Sequence, residues 1–259
     1  MIKKLQEQVY RIGLFACIPA VDEENIVRVA DALVRGGMRG IILSWNKHLI
    51  PAVEQLHARY PQLLIGVQGP YEKASKLFAS GVSFVADTAG IPAKIQVPFL
   101  LRKGNNLLNG ATVLAQCSNK LVFVSDIKQQ KWDEITRRAD DAIHNMLGFE
   151  LRHVGINHPD AKQAEQTASQ FEQLFGFVKM DKGGAFFAGP YIEAMKKMFY
   201  GTHGHIAIAT NNATRAAWYL EQQGVKLNWK SADYCADGLL RVVYLQDEIG
   251  GFAVHILQK

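Results

Sequence analysis

Two short phrases constrain this chain more than any other feature: Arg152-His153-Val154-Gly155-Ile156-Asn157 and Gly204-His205-Ile206-Ala207-Ile208-Ala209-Thr210. Each is an apolar run with β-branched members and a histidine near its start, which reads as a short strand. Each is followed by a helical run and then by short strands. The order β-α-β-β-β therefore occurs twice. Two copies of one small unit, each opening on a histidine, imply paired modules with a site formed by both. A lone strand histidine is commonly a polar residue with a satisfied ring. The repetition is what gives His153 and His205 a chemical reading.

The 259 residues can hold one large domain or two ordinary ones. With 48% hydrophobic and 20% charged residues, the composition is that of a folded soluble protein. The net charge of +5 is mild, and the basic doublets Arg137-Arg138 and Lys196-Lys197 are isolated. That disfavours nucleic acid as a partner and leaves room for an anionic small molecule. Cys17, Cys117 and Cys235 are far apart and have no C-x-x-C spacing, so neither a disulfide framework nor a thiolate zinc site is expected. A reducing cytoplasm is the expected location. Leu14-Phe15-Ala16-Cys17 is faintly like a lipoprotein cleavage box, but the apolar run before it is too short for a signal core. No stretch reaches the roughly 20 apolar residues of a membrane helix, so no membrane partner is expected.

The N-terminal half alternates strand and helix. A short amphipathic helix over residues 1–10 precedes a strand at 12–20. Asp22-Glu23-Glu24 then opens a helix with Ile26, Val29, Ala30, Leu33 and Val34 at helical spacing, ended by Gly36-Gly37. Residues 40–44 read as a second strand and 51–59 as a helix with Val53, Leu56 and His57 on one face. A strand at 63–67, a helix at 72–79 and a strand at 82–86 follow. Short links between alternating elements imply a parallel sheet with right-handed crossovers. Residues 91–120 are ambiguous: 95–101 and 111–115 are candidate strands, and Gly104-Asn105-Asn106 is a turn.

This half resembles the class I aldolase barrels of the 2-keto-3-deoxy-6-phosphogluconate / 4-hydroxy-2-oxoglutarate type. The resemblance lies in Ala32-Leu33-Val34-Arg35-Gly36-Gly37-Met38-Arg39, Tyr60-Pro61-Gln62-Leu63-Leu64-Ile65-Gly66, Ala79-Ser80-Gly81-Val82-Ser83-Phe84 and Lys131-Trp132-Asp133-Glu134-Ile135-Thr136. It implies a truncated TIM-barrel-like parallel α/β domain over residues 1–147. The departures are chemical. The positions of the family's catalytic Glu and its Arg hold Ile42 and Asn46, and its Gly-Thr pair is replaced by Gln68-Gly69. The segment bearing the imine-forming lysine is missing. Lys94, beside Pro92 and Pro98, gives no sign of the buried setting such a lysine needs. Aldolase chemistry is therefore not expected. Because a (βα)8 barrel needs at least about 200 residues, the expected form is an open parallel sheet.

Residues 148–259 resemble the vicinal-oxygen-chelate superfamily of glyoxalase I, methylmalonyl-CoA epimerase, extradiol dioxygenases and bleomycin-resistance proteins. The phrases are His153-Val154-Gly155-Ile156, Tyr191-Ile192-Glu193-Ala194-Met195, Gly204-His205-Ile206-Ala207-Ile208 and Gly250-Gly251-Phe252-Ala253-Val254-His255. The resemblance implies the paired βαβββ fold, a homodimer, and metal ligands at His153, Glu193, His205 and His255. Imidazoles plus one carboxylate suit Zn, Ni, Fe(II), Co or Mn as the divalent cofactor. By strand alternation, His153 shares a face with Gly155, and His205 with Ala207. Val154, Ile156, Ile206 and Ile208 turn to the other face, where helices are expected to pack. Glyoxalases usually carry Glu where His255 stands, which puts ordinary glyoxalase chemistry in doubt. His158 and His203 read as solvated loop residues, and His48, His57 and His144 have no chemical context.

The first reading is a metal-dependent isomerase or lyase for a small oxo- or hydroxy-acid, with Glu193 or a water at the site as base. The second is a non-catalytic small-molecule binding or sensing protein. The third, ranked last, is a retained 2-oxo-acid aldolase.

Overall fold

A computed structural model describes residues 2–46, 49–87, 98–109 and 112–259. It divides into two compact units, Met1–Met146 and Leu147–Lys259.

In the first unit, helix α1 (Ile2–Ile12) buries Leu5, Val9 and Ile12 and leads into strand β1 (Leu14–Ile18), whose five residues are all buried. Helix α2 (Glu23–Arg35) starts where Asp22 accepts a hydrogen bond from the Asn25 backbone N–H at 2.9 Å, satisfying a donor the helix cannot. Strands β2 (Gly40–Ser44), β3 (Leu64–Gln68) and β4 (Phe84–Asp87) follow, separated by helix α3 (Leu49–Arg59) and by a four-residue α4 (Tyr71–Ala74) that tightens into a 3-10 turn over Ser75–Ser80. Gly81 ends that turn at φ +110°, a backbone conformation that side chains with a Cβ rarely adopt. His57, expected on the buried face of α3, is exposed, while Ala52, Val53 and Leu56 form that face.

The expected open sheet is not what forms. β5 (Phe99–Lys103) runs parallel to β4, β6 (Asn106–Asn109) turns back antiparallel, and β7 (Thr112–Ser118) turns again and pairs parallel with β1. The sheet closes into a seven-stranded barrel. The physical reason is chain economy. A parallel crossover needs a dozen or more residues, whereas an antiparallel return needs a tight turn. Two such returns close the barrel in a segment too short for the missing βα units. The Phe15 and Phe84 rings meet edge to face inside, 5.6 Å apart, over Gly40 and Gly66, where any Cβ would strike them. Helices α5 (Val124–Lys128) and α6 (Trp132–Leu147) follow β7. The candidate lysine Lys94 and the start of the 95–101 strand lie outside the described residues, as does His48.

The second unit is one eight-stranded sheet. β8 (Glu150–Asn157), helix α7 (Ala161–Phe175), β9 (Lys179–Asp181), β10 (Ala185–Ala188) and β11 (Ile192–Met195) form the first βαβββ module. β12 (Gly204–Thr210), helix α8 (Ala213–Gln222), β13 (Leu227–Tyr234), β14 (Leu240–Leu245) and β15 (Phe252–Gln258) form the second. The sheet order is β13-β14-β15-β12-β8-β11-β10-β9. The opening strands β8 and β12 pair antiparallel at the centre, and each takes its own module's last strand as a parallel neighbour.

The helices do not cover the central strands as expected. α7 packs on β10 and β11, and α8 on β14 and β15, so Ile206 and Ile208 are only half-buried. On α7, Ala164 and Ala168 are fully buried against Ala188 and Ala194, with Phe171 packed beside them. Phe175, at the helix end, is 63% exposed.

Candidate metal centre

Strand register builds the site. In one row across the sheet Gly155 of β8 lies between Glu193 of β11 and His205 of β12. In the next row Ala207 of β12 lies between His153 of β8 and His255 of β15. Exchanging the two modules turns one row into the other. In each row a small residue separates two donors that stand two strands, about 10 Å, apart. The donors can meet only by leaning over that small residue.

They do meet. Glu193 Oε2 lies 3.0 Å from His153 Nε2 and 3.1 Å from His205 Nε2, and the two imidazole nitrogens are 3.2 Å apart. The ligating atoms of His153, His205 and His255 all lie within 4.8 Å of one another. His255 stands with its ring centroid 5.3 Å from that of His205 and 5.7 Å from that of His153. Glu193 thus contacts two of the three imidazoles.

Protons alone cannot satisfy this triangle. If both imidazoles donate to Glu193, their two N–H groups face each other at 3.2 Å. If one imidazole donates to the other, the second has no proton for the carboxylate. One cation inside the triangle attracts all three atoms at once. Donors about 2.1 Å from a common ion sit about 3.0 Å apart at right angles and about 3.4 Å apart in a tetrahedron, and the observed edges fall in that interval. The donor set and its spacing therefore fit a divalent cation.

The electrostatics agree with ligand roles. Burial by itself would raise the Glu193 carboxyl, but the adjoining His153 and His205 imidazoles hold its pKa at about 2. Burial, with the charges of His205 and His153, pushes His255 down to about 3, so its ring is neutral at ordinary pH. His205 and His255 are 3% and 5% exposed, and the buried Nδ1 of each has no hydrogen-bond partner among the described residues.

The histidines outside the quartet separate cleanly. His203 is exposed, with its ring 5.7 Å from Phe252. His158 is not solvated as expected. It is buried and shares a 2.8 Å hydrogen bond with Thr167 on α7, a structural contact away from the cluster. His144 is exposed beside Asp140.

The sequence reading missed the aromatic wall. Phe187 sits edge-on to His153 at 5.9 Å, and Tyr244 lies 4.6 Å from His255, with Phe199 and Tyr200 beyond it. Burial, then the Glu193 charge and Tyr200, raises the Tyr244 phenol well above its ordinary value. Register carries the signal for two of them: Phe187 pairs with Glu193, and Tyr244 with His255.

No family description matches this chain, and no curated protein does. Solved structures of two kinds show partial similarity to this chain. A KDPG aldolase from Legionella pneumophila, holding pyruvate as a covalent carbinolamine, is 14% identical. It covers 53% of this chain and 97% of its own, with a TM-score of 0.45. The methylmalonyl-CoA epimerase of Mycobacterium tuberculosis is 14% identical and covers 44% of this chain and 89% of its own, with a TM-score of 0.32. A 2-keto-3-deoxy-6-phospho-gluconate aldolase from Zymomonas mobilis ATCC 29191 is 16% identical, covering 37% and 50% with a TM-score of 0.32. Such identities assign neither an activity nor a metal. Among the described residues no helix is long and apolar enough to cross a membrane.

Proposed function

We propose that the C-terminal unit is a metal-dependent isomerase or lyase acting on a small oxo- or hydroxy-acid. The observation that carries this reading is the frustrated triangle of His153, His205 and Glu193 with His255 beside it. His153, Glu193, His205 and His255 would hold the ion. Three neutral imidazoles and one carboxylate leave a bound divalent ion with a net charge near +1, which attracts an anionic acid. When bound, that ion supplies Lewis acidity toward two neighbouring oxygens of such an acid. Glu193 is the one carboxylate of the four and is ionised at neutral pH. It is the candidate to take a proton from the carbon beside the carbonyl. The rings of Phe187, Phe199 and Tyr244 stand against His153, His205 and His255 and supply an apolar flank for the carbon chain of such an acid.

The test is metal-dependent exchange. Chelated protein, reloaded separately with Zn, Ni, Co, Mn or Fe(II), is incubated in D2O with a panel of small 2-oxo and 2-hydroxy acids and followed by proton NMR. Loss of the signal next to the carbonyl, restored by one or more metals and absent without them, is expected. Binding of an acid with no exchange under any metal would favour the non-catalytic binding reading.

The N-terminal barrel is expected to form no imine. Ile42 is buried on β2, Asn46 hydrogen-bonds to the Val21 carbonyl, and every described lysine of this unit is exposed. Borohydride reduction after incubation with pyruvate or 2-oxoglutarate should leave the mass unchanged. A stoichiometric adduct on any lysine would restore the aldolase reading.

A further inference from the structure

The barrel carries a second polar site that the metal centre does not explain. A cavity of about 290 Å3 opens at the C-terminal ends of the strands, lined by Cys17, Ser44, Gln68, Arg102 and Asn119 among others. That is the small end of the roughly 300–1,000 Å3 range of ligand pockets, and the end of a barrel where side chains from many strands converge. Arg102, on β5, is only 8% exposed. It donates from Nη1 to Gln68 Oε1, from Nη2 to Asn119 Oδ1 at 2.9 Å, and from Nε to the Gly104 carbonyl at 3.3 Å. All three acceptors are neutral, and no carboxylate of the described residues pairs with it. A buried charge without a counter-ion is costly. Of the five guanidinium N–H groups, one on each terminal nitrogen remains after these bonds, and a carboxylate or phosphate is the kind of acceptor that suits a guanidinium.

We propose that the mouth of the barrel binds a small oxyanion, a carboxylate or a phosphate, on Arg102, with Gln68 and Asn119 holding the guanidinium in place. Arg102, Asn119, Cys17 and Cys117 are not among the positions that the aldolase resemblance assigns. The one rival for the charge is internal. Cys17 and Cys117 are both buried; the neighbouring Cys17 and the Arg102 guanidinium hold the Cys117 thiol below its ordinary range against burial, while Cys117 and burial push the Cys17 thiol up. A bound oxyanion would compete with the Cys117 thiolate, so anion binding and thiol reactivity are coupled through one guanidinium.

The test uses the full chain in chloride buffer at constant ionic strength, with a chelator present. Inorganic phosphate and malonate are titrated separately by calorimetry. In parallel, N-ethylmaleimide labelling of each cysteine is followed by peptide mass, with Cys235 as the internal reference. One saturable site is expected, with slower labelling at Cys17 and Cys117 and no change at Cys235. Whichever anion binds identifies the source, phosphate or carboxylate. Asn119→Asp supplies a nearly isosteric counter-ion and should weaken that binding at least about tenfold, one decade in Kd. Gln68→Glu should do the same from the other side. No saturable binding of either anion below about 10 mM, a range weaker than any specific site here would show, overturns the proposal. So does binding that both variants leave unchanged.

Discussion

In His205→Ala, metal affinity should fall by more than the roughly 10–100-fold that loss of a mere supporting contact costs. His203→Ala and His158→Ala should bind metal like the parent. The reason is position. His205 Nε2 closes the triangle with His153 and Glu193, and the ring is almost wholly buried. His203 is exposed, and His158 is engaged with Thr167. Without the His205 imidazole, three donors remain and one edge of the sphere opens to water. Competition against a chromophoric chelator measures the affinity, and a melting curve of each variant without metal shows whether the fold survives. Equal affinities for His205→Ala and His203→Ala would remove the site assignment and leave the binding reading of the C-terminal unit.

Gly155→Ala is expected to damage the same site without touching a ligand. A Cβ at residue 155 would lie 2.5 Å from His205 Nε2 and nearer still to Cε1 and Nδ1. The backbone there has no positive φ, so alanine meets no conformational penalty of its own. The whole effect must pass through the displaced imidazole. Overpacking of this kind costs about 1–3 kcal/mol, or a fall in melting temperature of roughly 4–8 °C per kcal/mol for a unit of this size. Metal binding should be lost together with that stability. The double variant Gly155→Ala/His205→Ala removes the clash. It should recover most of the stability lost by Gly155→Ala but none of the metal affinity. Such non-additivity is what residues in contact show. An additive result would mean that the sheet, not the ring, absorbs the methyl group.

Local patterns were legible where they matched the periods of strand and helix. The runs around β1 to β4, the repeated β-α-β-β-β order and the glycine stops could be read from residues alone, because each depends on neighbours within a few positions. The candidate quartet came from the family resemblance; alternation by itself places only His153 with Gly155 and His205 with Ala207 on shared faces. Which small residue each donor leans across could not be read. That depends on register between β8, β11, β12 and β15, which are joined only through the folded sheet. The aromatic wall was hidden for the same reason.

Closure of the barrel was likewise beyond the sequence. Nothing in Phe99-Leu100-Leu101-Arg102-Lys103 distinguishes a solvated basic pair from an inward arginine. Once β7 pairs with β1, curvature assigns alternate residues to the interior, so Arg102 is buried while Lys103 stays in water. His158 and Phe175 show the limit from the other side. A loop histidine found a partner in Thr167, and an apolar residue at the end of its helix stayed largely exposed. Sequence alone determined most of the elements and the repeat, because those rest on short-range periodicity, while the four donors were named through a resemblance. Tertiary structure decided which donors meet, how a shortened barrel closes and where a lone charge is buried, because those rest on pairings between residues far apart in the chain.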